Sequence, residues 1–232
     1  MSNLINNIFS VAKRELLVIL NYKFSFFVLY LVSFYIGIYA SLKYLYLIPD
    51  PQFKIDIYLV FFFLATEMIF SWTLSTIQVL DYMRQRCIET MLATPLSLPS
   101  ILLGKSLAIF VLSYIPSLVC AAFVFIQLNL PFELANIVFP SSIGLIIFLI
   151  SPILIFGIIC LNGLMLMYLN QSQFGLLINY GIFYLIFRAG VNFNGGIDIT
   201  VLGSYAIGLF GVFILVFIGL KYLKKERIVL SL

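Results

Sequence analysis

Residues 93–106 read ATPLSLPSILLGKS, and the fold turns on how this stretch is read. Its last three residues, Gly104-Lys105-Ser106, end like a phosphate-binding loop, which would put them between a buried strand and a helix. Such a loop needs a further glycine five residues before Gly104, and that position is Pro99. Proline has no N–H to offer a phosphate, and residues 100–103 bring no glycine either. The other reading is helical. Thr94-Pro95 stops whatever helix precedes it, because a residue before proline is driven out of the helical region. Ser97 is then placed to cap a new helix, with Pro99 in its first turn where the missing N–H costs nothing. That helix runs through Gly104-Lys105 into an apolar run, and no phosphate loop forms.

The rest of the chain agrees with a membrane helix. Of 232 residues, 63% are apolar, 9% are charged and none is histidine. A soluble domain carries about 25% charged residues, so this composition could not cover a globular surface. The expected fold is an all-α integral membrane protein made of a single transmembrane domain. A bilayer core takes about 20 apolar residues of helix. Runs of that kind place spans at Phe24–Leu42, Tyr58–Leu80, Ser106–Ile126, Ser142–Met165 (kinked at Pro152), Phe174–Phe187 and Val201–Tyr222. Six spans put both termini on one side. Ten of the 13 basic residues then share that side: Lys13, Arg14, Lys23, Arg84, Arg86, Lys105, Lys221, Lys224, Lys225 and Arg227. Only Lys43, Lys54 and Arg188 fall opposite. The positive-inside rule therefore makes both termini cytoplasmic and the protein a multi-pass component of the cell membrane.

The first apolar run lacks a small-residue cleavage site and is not a signal peptide. Ahead of it, Asn3, Asn6, Asn7, Ser10, Lys13, Arg14 and Asn21 recur at helical spacing, with Ile5, Ile8, Phe9, Ala12, Leu16 and Ile19 opposite. Residues 1–23 are thus expected to form an amphipathic helix at the cytoplasmic interface. Cys87, Cys120 and Cys160 are widely spaced and read as small apolar residues within helices.

The cytoplasmic loop 81–105 carries the strongest functional signal. Within it, Cys87, Ile88, Met91 and Leu92 share one side of a short helix, while Arg84, Gln85 and Glu89 face elsewhere. The string IETMLATPLSLPSILLGKSLA, residues 88–108, resembles the signature of the membrane subunits of type 2 ABC exporters. Glu89, Leu92, Thr94, Pro95, Leu96, Ser97, Gly104 and Lys105 match that pattern. Arg84 and Arg86 depart from it, since the family carries an acidic residue and a glycine there. The resemblance implies that Arg84, Arg86, Ile88, Glu89, Met91, Leu92, Thr94, Pro95 and Leu96 form a coupling helix docked on a separate cytosolic ATPase subunit. Gly104 and Lys105 would join that helix to the third span. ATP and Mg would bind in the partner, and this chain would bind no cofactor or metal and catalyse no reaction. A second permease copy and membrane lipid are the other expected partners, and no nucleic acid is.

Three further features stand out. Glu67 lies inside the second span, where an ionisable group marks a pathway or a paired site by default; toward the outer half, it could also snorkel or bond Thr66 or Ser71. Arg188, in the loop RAGVNFNGGID, is the other candidate for the translocation path, with an interfacial anchor as its plainer role. Ser33, Gly37 and Ser41 repeat every four residues, a spacing that lets two helices approach closely within one chain or between two copies. The resemblance, in a family that dimerises partly through its first span, favours the dimer face. Tyrosines 35, 39, 44 and 46 read as interface anchors.

The expected function is the permease half of an ATP-driven exporter of a lipid-like, glycan or hydrophobic substrate. A haem-exporter-like permease and a non-transporting scaffold are the alternatives, although no histidine could ligate iron. An intramembrane enzyme would need an aspartate dyad, a zinc helix or a serine–lysine pair in the membrane, and the sequence offers none.

Overall fold

The structure is a computed structural model and describes residues 2–21, 30–31, 34–85, 96–130, 137–169, 181, 184 and 199–222. All the secondary structure among them is helical. Helix α1 is Ser2–Asn21. A π-helical turn, Tyr35–Ala40, leads into α2, Ser41–Leu45. Helix α3, Pro51–Ile57, passes through a second π turn, Tyr58–Phe62, into α4, Phe63–Gln85. Then come α5 (Leu98–Asn129), α6 (Ser142–Leu169) and α7 (Ile199–Tyr222). Among the described residues, four stretches are long and apolar enough to cross a membrane: Pro51–Ser75, Leu98–Asn129, Ser142–Met165 and Ile199–Lys221.

Local chemistry sets the helix starts. Asp50 Oδ1 accepts the Gln52 N–H at 3.0 Å, and Pro51 occupies the first position of α3. The second span therefore begins seven residues earlier than hydropathy alone suggests, because a capped turn extends it. Ser97 caps α5 as expected: its backbone is extended and its hydroxyl accepts the Ser100 N–H at 3.4 Å. At 32 residues, α5 is about 48 Å long, against about 30 Å of hydrocarbon. Several of its turns must lie outside the apolar layer.

Two prolines inside helices each free a carbonyl four residues back, and each carbonyl finds a hydroxyl. Pro116 in α5 leaves Leu112 O to accept from the Tyr30 hydroxyl. Pro152 in α6 leaves Phe148 O, which accepts from Ser151 Oγ at 3.0 Å. The two π turns are tied across the bundle in the same way. Gly37 O accepts from Ser41 Oγ at 2.5 Å and from the Tyr58 hydroxyl at 3.5 Å, and Val60 O accepts from the Tyr205 hydroxyl. Irregular backbone at membrane depth persists only where such partners exist.

The main core joins α1, the α3–α4 helix, α5, α6 and α7 through residues such as Ile19, Leu64, Leu102, Ile155 and Val216. A smaller core joins α2, α3 and α5 at the end that carries the 46–50 loop, around Leu45, Ile55, Phe63 and Val124. Outward faces remain apolar: Ile115, Val119, Phe123 and Ile126 form an exposed stripe on α5, and Ile207, Phe210, Ile214 and Phe217 one on α7. Those stripes suit contact with lipid.

Helix directions follow from the contacts. Asp56 Oδ1 accepts the Ser141 N–H at 2.7 Å, so α6 starts at the 46–50 end. Val60 meets Tyr205, so α7 starts there too. A Cβ on Gly157 would lie 2.8 Å from Val212 and one on Gly219 would lie 2.7 Å from Leu164. The α6–α7 pair is therefore parallel and closely packed at its glycines.

Candidate functional site

Two places concentrate the residues singled out by sequence. The first is the junction at the start of α5. Glycine 104 has no side chain because α1 lies on it: a Cβ there would sit 2.7 Å from Val11 Cβ and 2.8 Å from the Ile8 carbonyl oxygen. Helix α1 packs more heavily on α5 than on any other element. It does so through Val11, Ala12, Glu15 and Ile19, all buried. The amphipathic pattern predicted a single apolar face, and the structure divides it. Ile5, Phe9 and Leu20 stay exposed in a strip beside the packed face, with Lys13 next to them. One face of α1 thus serves the protein, and the neighbouring strip is free for the membrane surface. Glu15 was not anticipated on the packed face, since its acid reads as solvent-facing; its spacing of four from Val11 is the signal that places it there.

Leu96 precedes the Ser97 cap, and Leu98, Ile101 and Leu102 are buried just beyond it. Gly104 and Lys105 lie in the second turn of α5. Of the remaining candidates in the loop, Arg84 is described in its helical backbone only. Arg86, Ile88, Glu89, Met91, Leu92, Thr94 and Pro95 lie outside the described residues, as do Arg188 and Ser33.

The second place is the bundle interior around Glu67. That side chain is fully enclosed, and neither carboxyl oxygen has a hydrogen-bond partner. Snorkelling is ruled out by its burial. Bonds to Thr66 or Ser71 do not form, because both hydroxyls are spent on their own helix: Thr66 Oγ1 donates to Phe62 O at 2.6 Å and Ser71 Oγ to Met68 O at 3.0 Å. Tyr114 of α5 and Tyr205 of α7 lie within electrostatic reach of the carboxyl. An unpaired buried charge there would cost several kcal/mol. A neutral acid with its hydrogen bonds unmade costs about 1–3 kcal/mol.

Gly37 and Ser41 pack within the chain. A Cβ on Gly37 would lie 2.8 Å from Thr66 Cγ2 and 3.4 Å from Cys120 Sγ, and Ser41 is fully buried. Of the two contacts the spacing allowed, the structure shows the intramolecular one for Gly37 and Ser41. Tyr35, Tyr39, Tyr44 and Tyr46 are exposed. Cys120 and Cys160 are free thiols buried in helices. No group of three or more acidic or cysteine side chains that could hold a metal ion occurs among the described residues.

No family model, curated protein or solved structure matches the chain. Residue chemistry alone must therefore carry the functional reading. Sequence reasoning missed two kinds of residue. Asp56, enclosed at the start of the second span, holds the first turn of α6 through Ser141. Tyr30, Tyr58 and Tyr205 bond across helices to carbonyls freed by a proline or lying in a π turn. The prolines were a legible signal for Tyr30's partner; nothing in the sequence announces a π turn.

Proposed function

We propose that this chain is the membrane permease subunit of an ATP-binding cassette exporter. It spans the cell membrane six times with both termini cytoplasmic, and moves a lipid-like, glycan or hydrophobic substrate. It works with a second permease copy and with cytosolic subunits that bind and hydrolyse ATP with Mg, and it performs no chemistry itself.

The observation that carries this reading is the junction at Leu98–Lys105. A loop whose sequence resembles the exporter signature ends at a capped helix, and that helix continues without a break over Leu98–Asn129. A push delivered to the loop would be transmitted along α5 and, through the Val11–Gly104 contact, into α1. Helix directions support the six-span path. The chain must cross between Asn21 and Leu45, because Tyr30 meets the middle of α5 and Leu45 meets its far end. Because α6 and α7 are parallel, a fifth span over Phe174–Phe187 would return the chain from the end of one to the start of the other. Both termini then fall at the end where the basic residues cluster.

Purification from native membranes in mild detergent tests the reading. The expected result is a soluble ATPase chain that copurifies in fixed stoichiometry. Recovery of this chain alone, with no nucleotide-hydrolysing partner, would reject the proposal and leave a membrane scaffold.

A further inference from the structure

The coupling scheme makes no use of Glu67, although it is the one acid enclosed in the bundle without a partner among the described residues. The buried hydroxyls nearby have all settled on backbone carbonyls: Thr66 on Phe62, Ser71 on Met68, Ser75 on Ser71 and Ser117 on Ser113. None of these hydroxyls donates to the carboxyl. The elements packed against α4 bring these titratable groups into the bundle: Tyr114 and Cys120 from α5, Cys160 from α6, and Tyr30 ahead of the first π turn, while Tyr205 of α7 reaches the second π turn at Val60. Its own helix adds Tyr58 and Asp56, and Asp56 is committed to Ser141. None of these groups is basic. Among the described residues the nearest basic side chain along α5 is Lys105, nine residues from Tyr114, or about 14 Å along the helix.

A carboxylate in such surroundings is far less favourable than the neutral acid. An ionisable group at membrane depth belongs by default to a pathway or a switch. We infer that Glu67 is a proton-binding site of the bundle, occupied while α4, α5, α6 and α7 enclose it and emptied when the seam between these helices opens to water. In the enclosed state one carboxyl oxygen holds the proton. On opening, that O–H bond breaks and the proton passes to a water molecule admitted through the seam. The bonding electrons stay on the carboxylate, which is then hydrated; closure reverses the transfer. The place where the seam yields is marked by the Tyr58–Phe62 π turn, which Tyr205 pins through Val60 O. Such turns recur at functional sites.

Infrared spectroscopy of the full chain in lipid nanodiscs tests it, comparing wild type with Glu67→Gln and Asp56→Asn. At neutral pH the expected spectrum has the carbonyl stretch of a neutral carboxylic acid free of hydrogen bonds, absent in Glu67→Gln and retained in Asp56→Asn. Raising the pH should convert it to a carboxylate band while the helical amide signal persists. Wild type alone can also be probed with dicyclohexylcarbodiimide, which captures protonated carboxyls in apolar surroundings. Mass spectrometry should find the adduct on Glu67, less of it as pH rises. A Glu67 carboxylate at neutral pH would overturn proton occupancy. An acid band that never titrates in the folded protein, or no adduct at any pH, would overturn release and leave a permanently neutral structural acid.

Discussion

Replacing Gly104 by alanine tests the contact that links α1 to the start of α5. In an open helix, Gly→Ala gains about 1 kcal/mol of helix propensity. Gly104 is not open: the new Cβ would come within 2.7 Å of Val11 Cβ and 2.8 Å of the Ile8 carbonyl oxygen. The second neighbour is backbone and cannot rotate aside, so α1 has to lift. Overpacking of this kind costs about 1–3 kcal/mol, which leaves a net loss of about 1 kcal/mol. Gly203 supplies the internal control, because a Cβ there meets nothing within 4 Å. Gly203→Ala should leave stability unchanged or raise it slightly. Trypsin reads the local effect, since Lys13 and Arg14 are exposed on α1. Cleavage through a locally opened state follows the opening equilibrium, so a loss of about 1 kcal/mol means roughly fivefold faster cutting after these residues. The melting temperature should fall by about 2–4 °C. Adding Val11→Ala should recover part of the loss but not all, because the Ile8 carbonyl remains. Wild-type cleavage in Gly104→Ala, or a stability gain matching Gly203→Ala, would refute the packing argument.

Three further substitutions probe the bundle. Tyr205→Phe removes the hydroxyl that Val60 O accepts, and thermal unfolding should show a loss of about 0.6 kcal/mol, the usual size of such a bond in a membrane; an unchanged melt would remove Tyr205 from the account of the π turn. Ser151→Ala leaves the Phe148 carbonyl without its hydroxyl and should cost about 1 kcal/mol. Combined with Pro152→Ala, which restores an amide donor, the same change should cost much less, and strict additivity would argue against the proline explanation. Asp56→Ala frees the Ser141 N–H and should cost about 1 kcal/mol, as loss of a helix cap does. Amide exchange near residues 141–144 should quicken accordingly, and unchanged protection there would show that Asp56 holds nothing.

What the sequence made legible and what it hid have physical causes. Span four was located by hydropathy at the same residues that the structure gives, because α6 is apolar on every side and begins after an interrupting proline. The cap at Ser97 was legible because serine followed by proline in the first turn is a local, pairwise signal. Beyond such local rules the reading weakened. The second span starts at Pro51 rather than Tyr58, since a cap at Asp50 counts for nothing in a hydropathy window. Gly37 carries the same spacing whether it meets Thr66 or a second copy, so its contact with Thr66 needed coordinates. Glu67 was legible as an acid in a span, but its isolation depends on where Thr66 and Ser71 direct their hydroxyls. The π turns depend on contacts far apart in the chain and left no mark in its pattern.

The loop before α5 is proposed to couple this membrane bundle to an ATPase. Its most direct test is ATP hydrolysis by the reconstituted complex carrying Glu89→Arg together with Leu92→Ala. Truncating a central anchor of an interface costs on the order of 2 kcal/mol, roughly thirtyfold in affinity. The account predicts that the double mutant inserts normally, yet loses the ATPase subunit or its transport-stimulated hydrolysis. Wild-type recovery of the subunit together with wild-type stimulation would contradict it, and would return the loop to a role at the lipid surface.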